Sequence, residues 1–281
     1  MLRMISKPAL AVLLVVIACG AEQTPLRARK RLLAIGDVRT GYQHDSVTHA
    51  LATIERLGRE SGVFDTFIRT DLQLITKQPV LGPNDRNINA KNLDYFDAIF
   101  FDGTGEGDLS KQQKADLISF VKDDGKGIIG AHTGNDAFFT WPEYGEMMGG
   151  YFDNHPWGVF DAPVIIEDSG FPAMRHFPQS FIIHDEIYEL KGPYSRSNVR
   201  VLARLDPDKL DYSKPEIHRT DRDFPVALAH TYGKGRVFWS TFGHFDEVWD
   251  NKDVQTMYLE AIKWSMKLTD ADVTPRPMPK K

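Results

Sequence analysis

The sequence predicts an α/β fold built on a parallel, doubly wound sheet, and three observations carry that expectation. Short apolar runs alternate with longer segments whose apolar residues recur at helical spacing. The runs Ala98–Phe101 and Gly127–Ala131 are apolar or glycine throughout, as a strand buried on both faces requires. No Ser/Gly/Pro-rich linker divides the 281 residues, enough for one large domain with its own core.

Taken in order, Arg31–Ile35 reads as the first strand. Val47, Leu51, Ile54 and Leu57 share one face of a helix over Asp45–Ser61, and Phe64–Arg69 is the second strand. After Ala98–Phe101, Ser110 is placed to cap a helix over Lys111–Asp123, and Gly127–Ala131 is the next strand. This β-α-β-α-β alternation calls for right-handed crossovers and a parallel sheet. Asp136–Met148 has the length and apolar spacing of a further helix. The second half adds extended segments at Ala162–Ile166, Ser180–Leu190, Val199–Leu205, Ala227–His230 and Arg236–Thr241, then a closing helix over Asp253–Lys267. Prolines in Thr274–Lys281 stop regular structure, so 269–281 is expected to be a disordered tail.

Arg3 and Lys7 precede an apolar run, Pro8–Ala18, which is the layout of a secretory signal and too short to span a bilayer. Val16-Ile17-Ala18-Cys19 matches the cut made by lipoprotein signal peptidase, giving a signal at 1–18, a lipid on Cys19, a tether at 19–30 and a domain at 31–268. An ordinary cleavage nearer Ala21 is the alternative. Cys19 is the sole cysteine, so it has no intramolecular disulfide partner. The expected location is periplasmic or cell-surface, with Gly20 after the cysteine directing the protein to the outer membrane of a diderm host. Losing Arg3 and Lys7 takes the formal charge from -5 to -7. A mildly acidic chain without a Lys/Arg run argues against nucleic-acid partners. Gly233-Lys234-Gly235 lacks the spacing of a phosphate loop and fits a hairpin turn, so no nucleotide cofactor is expected.

Chemistry is expected around residues 127–157. His132 falls at a strand-to-helix turn, where a side chain points into the crevice at the carboxyl end of an open sheet. His44 and His244 also follow predicted strands, so His44, His132 and His244 converge on one crevice if the strands are parallel. Imidazoles with a carboxylate form a common shell for a divalent zinc, nickel or manganese ion. Asp45, Asp185 and Glu186 are the candidate carboxylates. Strand alternation sends Asp185 and Glu186 to opposite faces, so one of them is expected in the site unless the backbone turns. His155 is a candidate substrate contact, as are Asp136 and Glu143 around the helix after His132. His230 reads as structural, and His49, His176, His184 and His218 as surface or structural. The local crowd of aromatics suits a carbohydrate, whose ring faces stack on them; Trp141 and Trp157, in proline-bearing turns, are the two placed at the pocket.

Four blocks then carry a resemblance: Gly41–Val47 (GYQHDSV); Gly130-x-His132 with Trp141-Pro-Glu-Tyr144 and Phe152-x-x-His155-Pro156; Asp185–Tyr188 (DEIY); and Pro225–His244. In their order and content they resemble the ThuA-like (trehalose-utilisation) family. The resemblance implies the flavodoxin-like, class I glutamine amidotransferase-like arrangement, with a mostly parallel sheet and a sugar or keto-sugar substrate. It also implies that both Asp185 and Glu186 matter. In amidotransferases the turn that holds His132 here carries a nucleophilic cysteine; with Cys19 in the signal region, thiolate chemistry is excluded by composition.

The leading expectation is therefore an exported carbohydrate-active enzyme (isomerase, lyase or hydrolase), with a metal on His44, His132 and His244 and proton transfer by His132, Asp185 or Glu186. The alternatives are a non-catalytic glycan-binding surface lipoprotein, attached to the membrane only through Cys19, and an amidotransferase-fold scaffold with an empty crevice.

Overall fold

A computed structural model describes residues 28–89 and 91–279. The signal segment, Cys19 and most of the tether lie outside the described residues. Among these, no helix is long and apolar enough to cross a membrane.

Strand β1 (Lys30–Ile35), helix α1 (Ser46–Ser61), β2 (Phe64–Arg69), β3 (Ala98–Phe101), α2 (Lys111–Lys122) and β4 (Gly127–Ala131) follow the expected alternation. Next come α3 (Pro142–Met148), β5 (Tyr151–Asn154), β6 (Val159–Ile166), β7 (Ser180–Glu186), β8 (Glu189–Lys191), β9 (Arg200–Leu205), β10 (Pro225–Tyr232) and β11 (Gly235–Ser240). Two helices, α4 (Asp246–Asp250) and α5 (Lys252–Ser265), close the domain. One nine-stranded sheet has the order β2-β1-β3-β4-β11-β10-β9-β6-β7, and β5 with β8 forms a two-stranded ribbon. From β2 to β11 every pairing is parallel; from β11 to β7 every pairing is antiparallel. The additional strands of the second half thus extend the first sheet.

Alternation along β1 shows the double winding. Leu32 and Ala34 enter the core that contains Val47, Leu51 and Ile54 of α1 and Tyr258 and Trp264 of α5. Leu33 and Ile35 enter the opposite core, with Leu117 and Phe120 of α2 and Met147 and Met148 of α3. Helix α2 starts at a capping box in which Ser110 and Gln113 exchange side-chain-to-backbone hydrogen bonds, as the cap expectation anticipates. Gly233 and Lys234 make the two-residue turn of the β10–β11 hairpin.

Two elements differ from expectation. The helix expected over Asp136–Met148 exists only from Pro142. Asp136 and Phe138 instead exchange backbone hydrogen bonds with Gly105, at 3.0 and 2.8 Å, and Phe138 takes a left-handed φ of 55°. Such a φ is foreign to a helix, and Pro142 can only sit in a first turn. The single strand expected over Ser180–Leu190 breaks after Glu186, because the Tyr188 N–H donates to the Thr241 hydroxyl at 2.9 Å instead of to a strand. Among the described residues beyond α5 there is no helix or strand, yet the Arg236 guanidinium donates to the Thr269 carbonyl and Arg200 to that of Thr274. Ala271 and Val273 pack on the core. The chain is thus held to the body as far as Thr274.

Candidate functional site

The carboxyl ends of β1, β4 and β11 lie along one edge of the parallel half of the sheet, β3 standing between β1 and β4, and the loops that leave them bring three histidines together. The ring centroids of His44 and His132 are 5.0 Å apart, those of His44 and His244 4.9 Å, and those of His132 and His244 5.3 Å. Glu186 enters from the end of β7. One ligand atom from each of His44, His132, Glu186 and His244 lies within 4.8 Å of all the others.

His132 is the most constrained of the four. It is 1% exposed and takes φ 33°, a strained value for a residue with a side chain. Its backbone carbonyl accepts from the Trp239 indole. Its Nδ1 lies 2.6 Å from the Thr241 carbonyl oxygen, which can only accept, so Nδ1 carries the proton and Nε2 presents a lone pair to the site. That Nε2 is 3.2 Å from His244 Nδ1 and 3.6 Å from Glu186 Oε2, and His244 Nδ1 is 3.3 Å from the same oxygen. The other Glu186 oxygen faces His155, with Nδ1 at 3.7 Å from Oε1.

The loop bearing His244 is pinned from below. Asp185, fully buried, accepts the backbone N–H groups of Gly243 and His244 at 2.9 and 3.2 Å. The Gly243 carbonyl accepts from Ser46 Oγ and the Trp249 indole. Gly243 has φ 132°, a backbone open to glycine and strained for other residues. The loop bearing His44 passes as tightly over the end of β3, where Thr104 Oγ1 donates to the Tyr42 carbonyl at 2.7 Å.

Burial, aided by neighbouring imidazoles, depresses His132 to a pKa of about 3 and His44 to about 4, so both are neutral at physiological pH. His44 Nδ1 is buried with no hydrogen-bond partner among the described residues. His244 moves upward through its hydrogen bond to Glu186, against the effect of burial. Burial alone would raise Glu186; the His244 hydrogen bond and the surrounding imidazoles outweigh it and hold the carboxyl below its usual value. Burial pushes Asp136 up to about 6 and both Asp185 and Asp102 up to about 7.

His44, Glu186 and His244 line a cleft of about 300 Å³ shared with Tyr42, Asp136, Phe152, His155 and Tyr188, and buried His132 lies against these three. Of the expected site residues, His44, His132, His244, Glu186, Asp136 and His155 therefore meet. Asp185 does not reach the cleft: alternation turns its carboxyl beneath the His244 loop. Asp45 is exposed at the start of α1 and outside the cleft lining. Trp141, 6% exposed, packs in the α2–α3 core, with Glu143 nearby on a groove along α2. Trp157 meets Phe224 edge to face and donates to the Asp211 carbonyl. Both tryptophans are thus corrected from pocket to packing. His230 is structural as expected, with Nε2 2.9 Å from the Met147 carbonyl oxygen. The aromatic wall is made instead by Tyr42, Phe152 and Tyr188. Tyr42 and Tyr188 lie within the GYQHDSV and DEIY blocks, which is the signal that would have found them.

The family model for ThuA, described as trehalose utilisation, matches residues 33–265. A ThuA-like protein from Bacteroides uniformis ATCC 8492 is similar in structure at TM-score 0.67 and 20% identity, over 84% of this chain and 91% of that one. Another, from Parabacteroides merdae ATCC 43184, is similar at TM-score 0.64 and 16% identity, over 90% and 94%. A cytoplasmic protein from Salmonella typhimurium follows the fold at TM-score 0.51 and 11% identity, over 83% and 98%. At these identities the likeness concerns the fold. No curated protein matches the chain.

Proposed function

Because the chain belongs to the ThuA (trehalose utilisation) family, we propose that it is an enzyme acting on a sugar or keto-sugar derivative at a divalent metal held by His44, His132, His244 and Glu186. The observation that carries this reading is the spacing of the donors. With metal–ligand bonds of about 2.0–2.1 Å, neighbouring donors of a tetrahedral shell stand roughly 3.3 Å apart. The separations among His132 Nε2, His244 Nδ1 and Glu186 Oε2 are 3.2, 3.3 and 3.6 Å. The donor set of three imidazoles and one carboxylate accepts zinc, manganese or nickel.

When bound, the metal supplies Lewis acidity, polarising a carbonyl or hydroxyl of the substrate. The chain's own groups do the rest. The Thr241 carbonyl fixes the His132 tautomer, and Asp185 fixes the backbone that carries His244. Asp136 and His155 flank the open side of the cleft, where they meet substrate hydroxyls. Asp136, raised by burial to about 6, exchanges a proton readily near neutral pH. Phe152 and Tyr188, with ring centroids 4.4 Å apart, offer an apolar face to a sugar ring. Isomerisation, epimerisation, elimination and keto-glycoside hydrolysis can each use this pairing of a polarised carbonyl with a nearby proton carrier.

Metal content by elemental mass spectrometry tests the reading, on residues 20–281 beside a His44→Ala/His132→Ala double variant. Near-stoichiometric metal in the parent, lost in the variant, supports it. Absence from both after reconstitution with zinc, manganese and nickel sinks it. Export and lipidation at Cys19 belong to the same proposal, supported by the Val16–Cys19 pattern. Mass spectrometry of the membrane fraction checks them, through a diacylglyceryl adduct that Cys19→Ala abolishes.

A further inference from the structure

We propose that a hollow beside the histidine cleft receives an apolar, aromatic-sized group carried by the same molecule whose hydroxyl-bearing part the cleft takes. The substrate class is then a glycoside or other sugar conjugate with an apolar substituent. The sugar half of that statement rests on the reading above; the apolar half rests on the hollow itself.

The hollow measures about 570 Å³, larger than the cleft, and its apolar lining comes from Ile182, Ile183, Phe245 and Val248. Two stretches of chain run from one concavity into the other. Along β7, residues 182, 184 and 186 share a face, successive ones roughly 7 Å apart. Ile182 and His184 line the hollow, and Glu186 lines the cleft. Between β11 and α4, His244 lines the cleft and its neighbour Phe245 lines the hollow, their rings in edge contact at 4.4 Å between centroids. Phe245 in turn lies parallel to the His184 ring, 6.5 Å away. A molecule held at His244 and Glu186 therefore needs to extend by only a few bonds to reach an apolar wall.

Ile182 is 68% exposed on the edge strand of the sheet. One such residue is ordinary; four apolar side chains lining one concavity next to a polar cleft form a binding surface. The volume lies within the range of small-molecule pockets. Polar groups bound it, with Asp161 paired to His184 at 2.8 Å on β6 and Glu247 on α4. That rim suits a compact apolar group better than a broad protein contact. The shared wall at residues 244 and 245 ties its occupant to the ligand of the cleft.

Binding of three probes by calorimetry to the metal-reconstituted protein, residues 20–281, and to Ile182→Glu tests the inference: 2-naphthol, methyl β-D-glucopyranoside and 2-naphthyl β-D-glucopyranoside. The exposure of Ile182 keeps the variant folded, which a thermal melt verifies. The expected result is 2-naphthol binding weakened at least tenfold by Ile182→Glu. The naphthyl glucoside should bind at least tenfold more tightly than the methyl glucoside in the parent alone. Naphthol binding that is absent, or indifferent to the substitution, overturns the proposal. A concentration-dependent dimer abolished by Ile182→Glu also overturns it, since a second copy then covers the hollow. A naphthyl glucoside no tighter than naphthol, with naphthol still lost in the variant, keeps the apolar site and removes the sugar reading.

Discussion

Gly41→Ala is expected to weaken metal binding without touching a ligand. Gly41 lies three residues before His44, where its loop crosses the end of β3. A Cβ there would stand 2.0 Å from Thr104 Oγ1 and 2.6 Å from the Thr104 carbonyl carbon. The hydroxyl can rotate, at the loss of its hydrogen bond to the Tyr42 carbonyl, but the backbone carbon cannot. Relief requires the loop to withdraw from 2.6 Å to the 3.4 Å of ordinary contact, about 0.8 Å. Metal–ligand distances tolerate only about 0.2 Å, so a displacement of that size passed on to His44 costs one donor of four. Disturbing the support of a ligand lowers affinity by about tenfold to a hundredfold. Competition titration with zinc measures the affinity, and far-ultraviolet circular dichroism verifies the fold. An affinity within twofold of the parent refutes the claim that this crossing positions His44.

Three further outcomes follow from the packing. Asp102 is 1% exposed, and burial raises its pKa from 3.8 to about 7. Between those values the folded chain holds a proton that the unfolded chain has released. Its contribution to stability is therefore greatest below pH 3.8 and declines as pH rises through about 7, at about 1.4 kcal/mol per pH unit. Asp102→Asn removes that slope in urea denaturation from pH 4 to 7; an unchanged slope counts against the assignment. Trp141→Ala costs roughly 3–5 kcal/mol by cavity formation while leaving metal and sugar affinity unaltered. Impaired ligand binding at full folding would put the indole back in the cleft. Arg196 bonds both oxygens of Glu167 and both of Asp223, each at 2.8 Å, with all three side chains nearly buried. Arg196→Ala strands two carboxylates and is expected to lose roughly 3–5 kcal/mol in chemical denaturation. A loss below 1 kcal/mol would show that Arg204, 2.6 Å from Glu167, and the Tyr194 hydroxyl, which donates to Asp223, suffice to hold them.

The legible parts of the molecule are those governed by periodicity. Runs such as Ile99–Phe101 and Ile128–Ile129 have no polar face to present, so burial on both sides is their natural state. Three histidines after parallel strands could then meet, because such strands end on one side of the sheet. Alternation likewise separates Glu186, in the cleft, from Asp185, beneath it. Direction within loops was not legible. The apolar spacing from Ala137 to Met148 mimics a helix, yet the left-handed turn at Phe138 and pairing with Gly105 set its first residues in a different path. Trp141 and Trp157 went astray for a related reason: a large aromatic near a site is apolar enough to be core, and only the backbone path decides which way it faces. The break after Glu186 depends on the hydroxyl of Thr241, a residue 55 positions from Glu186 that no local pattern connects to it.

A centre assembled from residues 44, 132, 186 and 244 has no counterpart in any fragment of the chain. His44 joins His244 only when the first strand and the last lie in one finished sheet, so a nascent polypeptide lacking β11 has at most part of the donor set in place. Loading of the proposed metal would then accompany or follow the closing of the sheet. The choice of ion would then depend on whichever metals are free in the compartment where the chain folds, because a shell of three imidazoles and a carboxylate ranks first-row ions by the general Irving–Williams order and not by what the protein needs. Cellular geography, as much as coordination chemistry, would select the metal.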